Sequence, residues 1–162
     1  MIKAIYAIDT DGGFANKGKL PWGKIKSEMQ HFMEMTKGQV VVMGHKTWQS
    51  LPVRPLFFRT NVVVSRLKVV RHADEYYSGD IIPGLNDVQD RFRGGNVWVI
   101  GGKNILLQAL PVIQEQHISI IKGTFPSDMK LDLKEMTKDY QQVGGSEDRG
   151  KFVYQVWSRV GA

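Results

Sequence analysis

The chain has 162 residues, 42% of them hydrophobic, and a formal net charge of +6. That length suits one compact domain with its own core, and the lack of cysteine excludes a disulfide framework and thiol catalysis. The positive surplus favours anionic partners. The Lys and Arg residues are scattered, however, with no basic block, zinc-finger spacing or basic zipper, so nucleic acid is not an expected partner.

The first predicted element is a buried strand, Ile2 to Ile8. Asp9 ends this apolar run too early for a signal peptide or membrane span, so the chain reads as soluble and cytoplasmic, with no membrane partner. Asp9 to Lys24 is a long polar stretch bearing Gly12, Gly13 and Gly18 and ending at Leu20-Pro21-Trp22. Such a segment is either a ligand cover or a tolerated surface loop. Ile25 to Thr36 follows as an amphipathic helix, with Ile25, Met29 and Phe32 at helical spacing and Glu28 on the same face. A carboxylate there is partly withdrawn from water, which points to a bound partner or proton chemistry. A Glu in a first helical turn also complements the helix dipole, so Glu28 alone decides nothing.

Further strands are predicted at Val40 to Met43, Asn61 to Val64 and Val97 to Ile100. They alternate with helices from Gly44 to about Leu51, over Leu85 to Phe92, and over Lys103 to Leu110 before Pro111. Short apolar strands of this kind belong to a sheet covered on both faces. Towards the C-terminus, Tyr140 to Val143, His117 to Lys122 and Lys151 to Trp157 read as strands, with Gly144-Gly145 and Gly150 in a connection, an antiparallel ending. No repeat or linker divides the chain, so residues 1–162 are expected to form a single α/β domain.

Two glycine-bearing strand-to-helix junctions stand out: Met43-Gly44-His45-Lys46-Thr47-Trp48 and Ile100-Gly101-Gly102-Lys103-Asn104. Backbone amides and cations at such points bind phosphate, although glycine also marks these turns for backbone reasons alone. Two in one small domain suit a dinucleotide pyrophosphate, yet no Gly-x-Gly-x-x-Gly fingerprint exists. Arg66, just past Ser65, would meet another phosphate if its strand borders the same crevice; otherwise it is an ordinary exposed arginine. Glu28-x-x-His31 has no second copy for a di-iron site, and His31, His45, His72 and His117 make no zinc pattern. Nucleophile elbow and P-loop are absent too. One carboxylate beside two phosphate-binding edges is the inventory of a cofactor enzyme.

Jointly, Leu20-Pro21-Trp22 with Glu28 and Phe32, Val42-Met43-Gly44-x-x-Thr47-Trp48-x-Ser50-Leu51, Arg59-x-Asn61, and Val99-Ile100-Gly101-Gly102 resemble the chromosomal-type dihydrofolate reductases in order and approximate spacing. The resemblance implies a single domain with a mixed, mostly parallel eight-stranded sheet, flanking helices and an antiparallel C-terminal strand. It implies a monomer that binds NADPH and dihydrofolate, makes tetrahydrofolate for one-carbon metabolism, and is open to antifolate inhibitors. By that similarity Glu28 grips the pterin, with Ser119 as hydroxyl partner and Trp22 helping to hold a water. Ile5, Ala7, Phe32 and Ile100 wall the pterin and nicotinamide, Met29, Leu51 and Leu56 the aminobenzoyl ring, and Arg59 clamps the α-carboxylate. On the cofactor side Ala7, Ala15, Gly18 and Ile100 meet the nicotinamide and ribose. Gly44, His45, Lys46 and Thr47 form one pyrophosphate edge, Gly101, Gly102, Lys103, Asn104 and Ile105 the other, and Ser65 and Arg66 take the adenosine 2′-phosphate.

The chain departs from the family pattern at Leu106, where many relatives have Tyr, at Phe57-Phe58 before Arg59, where Pro-Gly is common, and at Ala15, where Gly is frequent. A pyrimidine reductase of riboflavin synthesis and a non-catalytic folate- or nucleotide-binding protein are the alternatives.

Overall fold

The computed structural model describes residues 1–66 and 69–161. Strands β1 (Ile2–Asp9), β3 (Val40–Gly44), β4 (Thr60–Val64), β5 (Glu75–Tyr77), β6 (Val97–Gly101), β7 (Glu115–Ile121), β9 (Tyr140–Asp148) and β10 (Phe152–Arg159) form one sheet in the order β5-β4-β3-β6-β1-β7-β10-β9. From β5 to β7 every neighbouring pair is parallel, and β10 runs antiparallel to both β7 and β9. The strands are continuous apolar runs because both faces are covered.

Helix α1 (Lys26–Thr36) carries the chain from β1 past β6 to β3, and α2 (His45–Ser50) follows β3. Helices α3 (Ile81–Arg91) and α4 (Lys103–Ala109) make the return crossings, and α5 (Leu133–Thr137) precedes β9. Alternation along each strand divides the core. Val42, Val62 and Val99 pack with Leu85, Val88, Leu106 and Met136 on one face; Val41, Met43, Val63 and Trp98 pack with Trp48 on the other.

Several expectations need correction. The stretch from Asp9 to Lys24 is not all loop: β2 (Gly13–Ala15) pairs with β8 (Met129–Lys130), and Lys17 and Gly18 at φ 51° and 76° make a tight left-handed turn between Asn16 and Lys19. Helix α3 begins four residues before Leu85, with Pro83 in its first turn, where no helical amide is missed. Gly84 is needed there, because a Cβ would lie 2.8 Å from the Tyr77 ring. Gly144-Gly145 is not part of the connection but lies within β9, where the register against β10 shifts and Gly144 has φ 71°, the signature of a bulge. Met29 leaves the expected apolar stripe and is 38% exposed, while His31 turns inward at 4%. Leu106, which stands where many relatives have Tyr, is wholly buried in the core with Leu85 and Val88 of α3.

The buried carboxylate of Asp9 closes β1. It accepts from the amides of Asp11 (2.9 Å), Gly13 (2.7 Å) and Phe125 (3.0 Å), tying the β2 segment and the loop after β7 to the strand end. Asp9→Ala would strand these donors and should destabilise the fold by about 3 kcal/mol. Denaturant unfolding measures the loss, and hydrogen exchange should quicken first at Gly13 and Phe125.

Candidate active site

Helix α1 lies over β1 and β7 and brings Glu28 down onto the sheet. Glu28 is 9% exposed, and its carboxyl group accepts a hydrogen bond from the Ser119 hydroxyl. Ser119 belongs to the row His117, Ser119, Ile121 that β7 turns towards α1, and it stands beside Ala7 of β1 and Tyr154 of β10. Burial raises the Glu28 pKa and the Ser119 bond partly opposes the rise. An unneutralised carboxylate with one protein donor is poised to take a complementary donor pair from a ligand.

The flanking walls are apolar. Ile5, Phe32, Leu51, Leu56 and Ile100 share one cluster, whereas Ala7 and Trp22 join Ile25, Phe125 and Phe152 in the next. Trp22 meets Phe125 edge-on at 6.4 Å. Met29 is 38% exposed.

Arg59 closes one end. Its Nε donates to Thr36 Oγ1 at 2.8 Å, and its terminal nitrogens donate to the carbonyls of Phe57 and Met33. Those bonds use three of the five guanidinium N–H groups, leaving two for a carboxylate. Asn61, fully buried, latches the segment: its side chain bonds Leu56 N, Leu56 O and Arg59 O, and its amide donates to Asp74. This latch explains the Arg59-x-Asn61 spacing. Phe57 and Phe58 are 62% and 79% exposed, and Phe58 sits at φ 60°.

At the carboxyl ends of β3 and β6, adjacent strands with Met43 opposite Gly101, the two glycine junctions come together. A Cβ on Gly44 would strike Ile105 at 2.9 Å, and Cβ atoms on Gly101 and Gly102 would fill the space beside Thr47 Oγ1 at 3.8 and 3.5 Å. Gly101 has φ 131° and is joined to Gly102 by a cis peptide. These glycines leave a backbone cradle flanked by His45, Lys46 and Lys103, an arrangement that fits a diphosphate. Ser65 is buried and Arg66 exposed just after β4, the next strand over. Asn104 is exposed, and Ala15 is half-buried with Gly18 in the turn beyond it. A recess of about 450 Å³ beside α2 is lined by His45, Trp48, Arg54, Arg71 and His72 among others, so this end of the molecule is basic.

Sequence reasoning missed a polar layer under Glu28. His31, His117 and Tyr154 pack ring to ring, with Tyr154 Oη 2.5 Å from His117 Nδ1 and Glu115 2.8 Å from His117 Nε2. Its signal in the sequence is the Glu28-x-x-His31 step, which puts a second polar side chain one helical turn from Glu28.

A family model described as dihydrofolate reductase matches residues 1–157. The chain belongs to the dihydrofolate reductase family. Dihydrofolate reductase type 8 of Escherichia coli is 33% identical over 151 residues, covering 90% of this chain and 89% of that protein. Dihydrofolate reductase of Mycobacterium tuberculosis is 39% identical over 130 residues, 79% and 76% of the two chains. A solved structure of dihydrofolate reductase from Enterococcus faecalis, complexed with NADP(H) and RAB-propyl, has a TM-score of 0.82 at 21% identity over 99% of this chain and 96% of that one, a likeness of fold. This family member is an NADP-dependent oxidoreductase that reduces dihydrofolate to tetrahydrofolate. The pyrimidine reductase and non-catalytic alternatives are not favoured. Among the described residues no helix is long and apolar enough to cross a membrane.

In a dihydrofolate reductase built this way, stability and function pull apart at Glu28. A carboxyl pKa raised by burial means that ionising Glu28 costs more in the folded than in the unfolded state, so stability falls as pH rises from the ordinary 4.5 through the folded-state pKa. Glu28→Gln removes that cost. Its Tm should rise above that of the unaltered chain once the pH passes the folded-state pKa, with the gain vanishing below pH 4.5; an unchanged or lower Tm would mean that the buried charge is not a burden.

Proposed function

We propose that the slot beneath α1 is the pterin site and the glycine cradle the cofactor site of this reductase, acting as a cytoplasmic monomer of the chromosomal type. The observation that carries this reading is the buried Glu28 carboxylate bonded to Ser119, whose strand neighbour is Ala7 of β1.

NADPH, when bound, would supply the hydride for pterin C6, and solvent would supply the proton for N5. The chain's own residues bind, orient and exclude water. Glu28 pairs with the pterin's 2-amino group and N3, holding the ring in one orientation and favouring positive charge on it as N5 is protonated. Ser119 fixes the carboxylate rotamer. Trp22 covers the slot from the loop side and holds a water. Ile5, Ala7, Phe32 and Ile100 keep the ring faces dry, and Leu51, Leu56 and Met29 border the aminobenzoyl group. The two free Arg59 donors take the α-carboxylate.

The cofactor's diphosphate lies in the cradle of Gly44, Gly101 and Gly102. Thr47, Lys46 and His45 serve one side of it, and Lys103, Asn104 and Ile105 the other. Ser65 and Arg66 receive the 2′-phosphate, which favours NADPH over NADH, and Ala15 and Gly18 meet the nicotinamide ribose. Antifolates with a diaminopyrimidine ring suit Glu28 for the same reason as the pterin does.

NADPH consumption with dihydrofolate tests the reading. Glu28→Gln should lower turnover by about a hundredfold or more, the contribution of a positioned acid or base; near-normal turnover removes Glu28 from the site. Arg59→Lys keeps the charge but loses the fork. It should raise the KM for dihydrofolate by about tenfold, the worth of one charge-assisted hydrogen bond, with the KM for NADPH little changed; equal effects on both would contradict the clamp.

A further inference from the structure

Arg59 is a buried cation whose protein partners are all neutral. It is 9% exposed, and among the described residues its acceptors are a hydroxyl and two carbonyls, with no carboxylate paired to it. Burial pushes its pKa down, although a guanidinium stays charged. The counter-charge is therefore left to a ligand, and the direction in which the guanidinium faces decides where that ligand's carboxylate sits.

Thr36 fixes that direction. It is the last residue of α1 and 0% exposed, and its Oγ1 lies 2.9 Å from the Phe32 carbonyl and 2.8 Å from Arg59 Nε. A guanidinium only donates, so Oγ1 accepts from Nε and its single proton goes to the carbonyl. A buried threonine in a helix often bonds the carbonyl four residues back; here the same oxygen carries a second bond, from a cation. The Met33 carbonyl, one turn earlier, takes Nη2, so the last turn of α1 occupies the Nε–Nη2 edge, and the Phe57 carbonyl takes Nη1. An arginine forks a carboxylate along a Nε–Nη edge or along the Nη–Nη edge. With the first edge closed by α1, the Nη1–Nη2 edge is the one left for a ligand. Glu28, Phe32 and Thr36 also recur four residues apart on one stripe of α1, and eight residues of helix rise about 12 Å.

We propose that Thr36 is a positioning residue for the substrate's α-carboxylate: its hydroxyl closes the Nε edge of Arg59 and so holds the fork in register with Glu28 along one helix. Without the hydroxyl, the buried Nε–H has no acceptor behind it. Thr36 is wholly buried, so neither water nor a ligand oxygen reaches Nε where it stands, and the side chain must leave its place to find a partner. The fork then loses its register, and the carboxylate is held by one N–H instead of two. The loss falls on the half of the substrate that bears carboxylates and spares the pterin half. This inference rests on Arg59 being the α-carboxylate clamp.

Steady-state kinetics with two substrates tests the assignment: dihydrofolate, and a 7,8-dihydropterin whose C6 bears only a methyl group and which therefore has no carboxylate. Thr36→Val keeps the shape and removes the hydroxyl. It should raise the KM for dihydrofolate by about tenfold, the worth of one hydrogen bond to a charged group. Its kcat, its KM for NADPH and its kcat/KM for the methyl pterin should stay within about twofold. Thr36→Ser keeps the hydroxyl and should match the unaltered chain. An unchanged or lower KM in Thr36→Val, equal losses on both substrates, or a raised KM in Thr36→Ser overturns the proposal. Nitrogen NMR of the unaltered chain needs no variant. The Arg59 Nε–H should be protected from solvent exchange without ligand and keep its shift when dihydrofolate binds in the absence of NADPH, while the terminal nitrogens move. A freely exchanging Nε–H, or one that moves as far as they do, also overturns it. Arg59→Lys separates the two readings. If it leaves the KM for dihydrofolate unaltered, the clamp fails and this proposal with it; a raised KM there beside a normal one in Thr36→Val rejects the role of Thr36 alone.

Discussion

The hydrogen bond from Ser119 to Glu28 joins two elements far apart in sequence and sets the terms for the rest of the site. A carboxylate is driven out of an apolar slot by desolvation unless something holds it, and one hydroxyl offsets only part of that cost. The residual instability is useful, because it leaves the group unsatisfied in the direction a ligand approaches. Helix α1 must therefore be anchored at several points so that it does not lift and hydrate the carboxylate. Ile25 packs at its start, and at its end Arg59 ties Thr36 and Met33 to the segment before β4.

The sheet places the second half of the site by topology. Since β6 inserts between β3 and β1, the chain's two glycine junctions become neighbours although nearly sixty residues separate them. A side chain at Gly44 would meet Ile105 at 2.9 Å, and Gly101 sits at φ 131°, where side chains are rarely tolerated. Parallel strands ending together leave a crevice at their carboxyl edge, and crossovers on opposite faces keep it open. Substrate slot and cofactor cradle are thus two openings of one edge, walled between them by Ile5, Ala7 and Ile100.

The terminal hairpin does more than close the sheet. Tyr154 and Arg149 reach under α1, and the bulge at Gly144 lets β9 adjust its register to a strand already fixed by β7. That arrangement joins the last strands to the helix bearing the carboxylate.

Much of the fold was legible in the sequence. The strands β1, β3, β4 and β6 are dense apolar runs that the buried centre of a sheet demands, and α1 follows from period. What local patterning missed was short or context-bound: β5 with three residues, β2 and β8 with partners more than a hundred residues apart, and α3 starting through a proline and glycine that propensity disfavours. The glycine pair within β9 read as a turn because a bulge has the same composition as one. At the site, Glu28 announced itself as a charge on an apolar face, and Arg59 and the glycines came through resemblance to a family. By itself the sequence determined that the chain makes an α/β sheet, that an acid is sunk into one helix face, and that two backbone edges are free of side chains. These depend on residue type and spacing, which are local. Only the tertiary structure decided that His31 faces inward and Met29 outward, that Arg149 meets His31 from a strand pair 118 residues away, and that Leu106 belongs to the opposite core. Which face a side chain finds, and which charge it meets, is set by contacts between elements distant in sequence, and periodicity carries no record of them.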